Sequence, residues 1–548
     1  MNLLKSRNFL KIGILLDDYF VPQWIEETIK SIQNCDYAKV ELIILNDGKK
    51  NISSTSEKKY FLYRLHRKFE NLFFTPKDSP ESIVNIELLL NDIPIIKVIP
   101  NQTKFSDKFN ESDIENVKKY DLDVILRYGF RILRGDVLKS SKFGIWSFHH
   151  GNDETNRGGP PGFWEIMNKE PTTGCILQIL SDELDGGIIL QRSISSTHPF
   201  SVNFNRAQLY SKSPNILMRQ LKLLYFNREN FLKKNTSEFP KFYTNSLFTI
   251  PRNSQMLKIL IKYFLNLLKY KIKVRILNDQ WFLLFSFGDG IQNSLWKYKK
   301  IFPPHDRFYA DPHIFFKNDK YYVFIEEYFF KKTKGVISVF EIDEDGNYTK
   351  PRIILEKNYH LSYPNVFEHD GDIYMIPESF GSGNIELYKC ENFPYEWKFV
   401  KNLIPNLSGV DPTLLRYEDK WWLFIGTPSF ENSSFSNEDL SIFFSEDLLN
   451  GKWSPHSLNP FINNINSSRP AGNFFQIGDS IYRPSQNSSL NYGTALVFNK
   501  IIELNELNYN EKIIQTIFPN WNTKIIGIHH FSNINRLTII DAKRQIWK

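Results

Sequence analysis

A repeat in the second half of the chain narrows the fold more than any other feature. Asp311-Pro312 leads to FFKNDKYYVFIEE, Tyr363-Pro364 to FEHDGDIYMIPES, Asp411-Pro412 to LRYEDKWWLFIGT and Ala471-Gly472 to FQIGDSIYRPSQN. In the first three copies a pair of large residues stands at one constant offset from the proline: Tyr321-Tyr322, Ile373-Tyr374 and Trp421-Trp422. A weaker fifth copy runs from Gly527 through Leu537–Ile540. Each copy reads as a hairpin with an acidic or glycine turn. A small antiparallel sheet cannot bury its faces alone, so a repeat of this length predicts a closed propeller of about five blades over 279–548. The strand near Asp279–Phe285 is expected to close the ring against the C-terminal strand.

The first 205 residues have a different texture. Lys11–Leu16 is a continuous apolar run, as in a strand buried on both faces, and Trp24–Ile32 has helical spacing. Val40–Leu45, Pro94–Ile99 and Asp123–Leu126 read as further strands. This alternation predicts a parallel sheet with helices on both faces, whose ligands bind at the carboxyl ends of the strands. No GxGxxG follows the first strand, so a dinucleotide is not expected. Between the two halves, 206–278 reads as a helical connector. Its second helix, Met256–Leu277, carries Lys258, Lys262, Lys269, Lys271, Lys273 and Arg275. Packing between domains with the lysines in water is one reading. Peripheral contact with a membrane surface through 256–277 is the other.

Composition excludes several classes. Apolar residues make up 41% of the 548 and charged residues 24%, which fits neither a disordered chain nor a membrane bundle. The net charge of +7 comes from scattered Lys and Arg, so no nucleic-acid partner is expected. Cys35, Cys175 and Cys390 are far apart and lack CxxC spacing, which favours a reducing, cytoplasmic setting over a disulfide framework or a cysteine zinc site. No uncharged apolar stretch is long enough for a transmembrane helix.

The densest chemistry lies between Gly144 and Leu190. Ile145–His149 reads as a strand end, with Ser147 and His149 on one face and Trp146, Phe148 and His150 on the other. That geometry is poor for chelation by His149 and His150, and no metal is expected. The loop GNDETNRGGPPG follows, and Asp185 sits in LDGG near the start of a later strand. A histidine steered by a carboxylate is an acid/base or oxyanion-stabilising unit. His149 and Asp185 taken alone read equally well as caps of a strand and a turn.

This stretch resembles the catalytic core of the 10-formyltetrahydrofolate-dependent formyltransferases. Their pattern is Asn-x-His at a strand end, a loop closing in Arg-Gly-x-x-Pro, then Thr-Gly and Leu-Asp-x-Gly. His149, Arg157-Gly158, Pro161, Thr173-Gly174 and Leu184-Asp185-Gly186-Gly187 match it in order. Asp121–Leu138 is similar to the preceding strand with its Tyr-Gly and Ile-Leu. The resemblance covers about residues 90 to 200 and extends weakly to residue 9. It implies a Rossmann-like α/β domain, 10-formyltetrahydrofolate as formyl donor, and catalytic roles for His149 and Asp185. Ser147 stands where the family has its catalytic Asn, so a shorter and freer hydroxyl would have to donate to the oxyanion. His150, Asn152 or a water would supply any missing donor. Arg157 would shape the acceptor side, and the stretch Tyr128–Leu133 would line the pterin pocket.

The C-terminal repeats resemble the β-rich N-terminal region of plant glucosamine inositolphosphorylceramide transferases. The shared features are YADP, Phe324–Glu327, Lys334-Gly335, SYPNVFEHDG with MIPES, and Arg483–Gln486. They also resemble five-bladed glycoside hydrolases with an Asp-Pro in the first blade. Both resemblances imply a carbohydrate setting, with Asp311, Glu378 and Asp411 placed to surround a sugar. The same Asp-Pro units read equally well as strand caps that order the turns. The chain is therefore expected to be multidomain: an α/β formyltransferase-like domain over 1–205, a helical connector over 206–278 and an all-β five-bladed propeller over 279–548. Its expected activity is formyl transfer to the amine of an amino sugar or nucleotide sugar in surface polysaccharide assembly. The alternative is a carbohydrate-binding or glycosyl-processing protein with a degenerate transferase domain.

Overall fold

The computed structural model describes residues 9–48, 58–183, 186–232, 246–428, 439–461 and 463–548. The chain divides into two compact units, Met1–Leu265 and Asn266–Lys548.

The first unit is built on a seven-stranded sheet. Its strands in chain order are β1 (Leu10–Leu16), β2 (Ala38–Asn46), β3 (Ile95–Val98), β4 (Val124–Arg127), β5 (Ile145–His149), β6 (Thr172–Ile179) and β7 (Ile188–Ser196). The spatial order is β7-β6-β5-β4-β1-β2-β3, parallel from β3 to β5, with β6 and β7 antiparallel. β1 is apolar throughout because both of its faces are covered. Leu10, Ile12, Ile14 and Leu16 enter one core and Leu15 the other.

On the first face lie α1 (Gln23–Gln33) and α4 (Val202–Phe226); on the second lies α3 (Glu111–Lys118). α1 starts directly after Pro22 and buries Trp24, Ile25, Thr28, Ile29 and Ile32, one helical stripe. α4 begins well before Asn215–Phe226, the Leu- and Ile-rich stretch that reads as a helix in the sequence. Ser201 caps it by accepting from Phe204 N, and it runs through Pro214 with Asn205, Ser211 and Ser213 buried. Its packing against α1 and β6 makes it a layer of the first unit. Two more helices, α2 (Phe61–Phe73) and α5 (Asn253–Ile276), complete the list of long helices among the described residues.

The second unit holds five four-stranded antiparallel sheets among the described residues. Four are sequential meanders spanning 307–355, 362–404, 410–455 and 475–517. The fifth is assembled from both ends of the unit. Leu277–Phe287 pairs along its whole length with Leu537–Trp547, the pairing anticipated from the sequence. The Pro-containing repeat has a common backbone cause. Asp311, Tyr363 and Asp411 adopt left-handed φ of 51°, 45° and 52°, and the register of each first strand shifts there. The result is a bulge that re-aims the side chain at the same place in three sheets.

Candidate functional sites

β4 and β5 run parallel with Arg127 opposite Ser147, at the carboxyl end of the sheet. Strand alternation turns Ser147 and His149 to the same side. With Arg127, Ile132, Leu133 and Gln178 they line a cavity of about 190 Å³. The Arg127 Nη1 donates to Ser147 Oγ at 2.9 Å, while Nη2 and Nε donate to the carbonyls of Phe130 and Arg131 at 3.2 Å. Burial pushes the Arg127 guanidinium below its ordinary pKa, against the pull of Asp17 and Asp107. The guanidinium remains a fixed cation under the cavity.

His149 Nε2 is buried and has no hydrogen-bond partner among the described residues. Its room is made by Gly151, where a Cβ would come within 2.9 Å of that nitrogen. Asp185 lies outside the described residues. The flanking Glu183 and Gly187 both line the cavity. Gly187 is required there because a Cβ would sit 2.3 Å from the Ile179 carbonyl oxygen.

Four expected substrate contacts are placed elsewhere. Tyr128 turns to the α1 face, its ring edge-on to Trp24 at 5.3 Å. His150 does the same. It meets Tyr210 and Trp24 at 4.1 and 5.4 Å and Ser213 Oγ at 3.0 Å, and burial pushes its pKa down to about 3. A neutral histidine in an aromatic nest is a packing group. Asn152 is buried and orders the loop. Its Oδ1 accepts from Glu154 N, and its carbonyl accepts from Thr155 N and Asn156 N. Gly174 exists for this contact, since a Cβ there would lie 2.7 Å from Asn152 Cβ. Arg157 does not line the cavity. Its carbonyl accepts from Phe248 N at 2.7 Å, and Gly158, at φ +99°, lets the two segments meet. Sequence reasoning missed Arg127 and Gln178. The one available signal was a charge ending the apolar run VILR.

In the second unit the bulged residues converge with carboxylates of neighbouring sheets. Tyr363 N donates to Asp311 Oδ2, Asp311 N to Asp541 Oδ2 and Asp411 N to Glu378 Oε2, at 3.1 to 3.3 Å. Asp411 also accepts from Arg469 and from Gln486 Nε2, and Arg469 Nη2 stands 3.6 Å from Glu378. His529 is gripped between Asp311 at 3.1 Å and Asp541 at 2.8 Å. Burial alone would lower the His529 pKa; the two carboxylates outweigh it and push it up to about 9. The same imidazolium, against burial, holds Asp311 well below the carboxylate range. Glu378 is raised well above that range by burial and by Asp411. Asp311, Asp411 and Glu378, expected to contact sugar, are thus buried and tie sheet to sheet. Asp311, His529 and Asp541 offer donor atoms within 4.8 Å of one another. With both nitrogens of His529 directed at carboxylates, the group reads as an ion triad. His529 and Asp541 escaped sequence reasoning because their sheet is assembled from distant segments.

The family model described as "Glucosamine inositolphosphorylceramide transferase 1, N-terminal" matches residues 299–530. The chain is 35% identical over 207 residues to glucosamine inositolphosphorylceramide transferase 1 of Arabidopsis thaliana, covering 37% of this chain and 27% of that protein. It is 30% identical over 122 residues to a methionyl-tRNA formyltransferase of Prochlorococcus marinus, covering 22% of this chain and 36% of the relative. Among solved structures, a family 117 glycoside hydrolase from Zobellia galactanivorans aligns with 13% identity and a TM-score of 0.33, covering 48% of this chain and 90% of the hydrolase. The chain thus spans about a quarter of the length of the plant protein and about a third of the formyltransferase. These similarities are to enzymes, transferases among them, and they meet in one chain a carbohydrate-related and a formyl-transfer-related relative.

Proposed function

We propose that the chain is a carbohydrate-directed formyltransferase. The first unit would move a formyl group from 10-formyltetrahydrofolate to the amine of an amino sugar or nucleotide sugar. The five sheets of the second unit, read as a five-bladed propeller, would hold the carbohydrate. The single observation that carries this reading is that His149, whose buried Nε2 has no partner among the described residues, lines one cavity with Ser147 and Arg127.

The donor set suits such a group, because an acyl oxygen needs fixed donors and an amine needs a proton acceptor. Ile132, Leu133 and Gln178 would hold the folate beside them. When bound, the folate supplies an activated formyl carbon. His149 Nε2 is the atom able to take the amine proton. Ser147 Oγ accepts from Arg127 and donates to the Phe148 carbonyl at 3.4 Å, a long bond that the rotatable hydroxyl would exchange for one to an oxyanion in the cavity. The adjacent guanidinium charge makes that hydroxyl a stronger donor than an isolated serine. A reducing, cytoplasmic setting belongs to the proposal and agrees with three free cysteines.

The test is mass-spectrometric detection of a formamide when the full chain is supplied with 10-formyltetrahydrofolate and a panel of nucleotide-linked amino sugars. His149→Ala is expected to slow turnover by about 10²–10⁴-fold at an unchanged melting temperature. Turnover retained in that variant overturns the assignment. A second reading, glycosyl transfer or cleavage by the second unit, is favoured by Glu378, whose carboxyl is raised well above the ordinary carboxylate range by burial and by the neighbouring Asp411. It would be selected by activity lost in Asp311→Asn and kept in His149→Ala.

A further inference from the structure

In the first unit, α2 and the part of α5 up to Leu265 carry apolar surface that the fold leaves uncovered. α2 buries only Tyr63, His66 and Glu70. On its outer side Phe61, Leu65, Phe69, Leu72 and Phe73 are 46 to 75% exposed, at a spacing that makes one stripe. α5 buries only Met256 and Tyr263. Its outer stripe within this unit is Leu257, Ile261, Phe264 and Leu265, each 54 to 56% exposed.

The helices are neighbours. Asn253 Oδ1 accepts from Leu62 N and its Nδ2 donates to the Lys58 carbonyl, both at 3.0 Å, and the rings of His66 and Tyr263 meet edge-on at 6.2 Å. Tyr263 is in turn pinned by its hydroxyl, which donates to the Phe200 carbonyl at 2.7 Å. Large apolar side chains exposed singly are ordinary, whereas two adjoining stripes are a patch that asks for an occupant.

Charge says which occupant. Within the first unit α5 carries Lys258 and Lys262, four residues apart and so on one edge of its stripe. The helix has no acidic residue. α2 adds Lys68 and follows directly on the exposed Lys58 and Lys59. Its one acid, Glu70, is buried against Ser201 and Asn203. A stripe of Phe and Leu bordered by lysines matches the acyl–headgroup boundary of an anionic bilayer. No described helix is long and apolar enough to cross a membrane, so the contact is with the surface.

We infer that α2 and α5 form a peripheral docking surface for membranes rich in anionic lipid, with the phenylalanine and leucine stripes in the headgroup region and the lysines on its charges. The test is co-sedimentation of the full chain with vesicles of phosphatidylcholine alone and of phosphatidylcholine containing one quarter phosphatidylglycerol. The chain is expected to pellet with the anionic vesicles only, and less as salt rises. Leu65→Asp combined with Phe69→Asp should abolish pelleting. Lys258→Glu combined with Lys262→Glu should weaken it by about tenfold or more. All four positions are exposed, and an unchanged melting temperature checks that both variants fold. No pelleting with anionic vesicles, equal pelleting with neutral ones, or pelleting untouched by both pairs of substitutions would overturn the inference. So would a dimer in light scattering that Leu65→Asp/Phe69→Asp dissolves without any vesicle binding, which would give the patch to a second copy of the chain.

Discussion

The two charged clusters of this chain invite comparison because each gathers a histidine, an arginine or a carboxylate at strand ends, and yet they are used differently. In the first unit the charges border a cavity: Arg127 spends its hydrogen bonds on Ser147 and two carbonyls, and His149 keeps a ring nitrogen unspent. In the second unit the charges face one another and the backbone of the next sheet. Buried polar groups stabilise a fold when their partners are internal, and they are available for chemistry when one partner is withheld. The second cluster thus ties sheets together, and the first, on the proposed function, is the one left open for reaction.

The strongest way to break that assignment is to remove the cation that joins two carboxylates. Arg469→Met leaves Asp411, 1% exposed, without its ion pair. Stranding a buried charge typically costs about 3–5 kcal/mol. The second unit is expected to melt at a markedly lower temperature in calorimetry, while formyl transfer per folded molecule is unchanged. A variant that melts normally and loses activity would move catalysis into the second unit.

Protonation sharpens the same contrast. The native His529 pKa of about 9 lies above the unfolded value of 6.5. Such a group contributes its stability in full below pH 6.5 and loses it as pH climbs through about 9. The contribution is on the order of 3 kcal/mol. The melting temperature of the second unit is therefore expected to fall between pH 6.5 and 9.5, and His529→Gln should flatten that fall. Asp311, held low, acts in the opposite direction, and its contribution disappears only in acid.

How much of this was legible depended on how local each feature is. β1, β2, β4 and β5 were readable because a buried strand is a continuous apolar run. Ile145–His149 was read without error. The repeats were readable because each bulge writes a residue-Pro pair into the sequence at one offset from a hairpin. α4 was half hidden, since Pro214 and the buried Asn and Ser residues of its first turns look like loop until α1 and β6 are packed against them. At the sites, alternation placed Ser147 and His149 on one face. It could not tell that Tyr128, His150 and Asn152 would be spent on packing, because their partners Trp24, Tyr210 and Gly174 lie elsewhere in the chain. Nor could it pair His529 with Asp311, which meet only across different sheets.

The smallest effect concerns Ser147, and it separates two ways of stabilising an oxyanion. If the hydroxyl alone donated, Ser147→Ala would cost the roughly 10²–10³-fold typical of a lost oxyanion donor. Arg127 changes that expectation, because its Nη1 is already aimed at the serine oxygen from 2.9 Å and would face the cavity once that oxygen is gone. Ser147→Ala is therefore expected to slow formyl transfer by only about tenfold, and Ser147→Ala combined with Arg127→Met by far more than the product of the single losses. Steady-state rates for the two single variants and the double variant measure that coupling. Additive losses would mean that Arg127 merely braces the strand end, and the serine would then stand as the cavity's own donor.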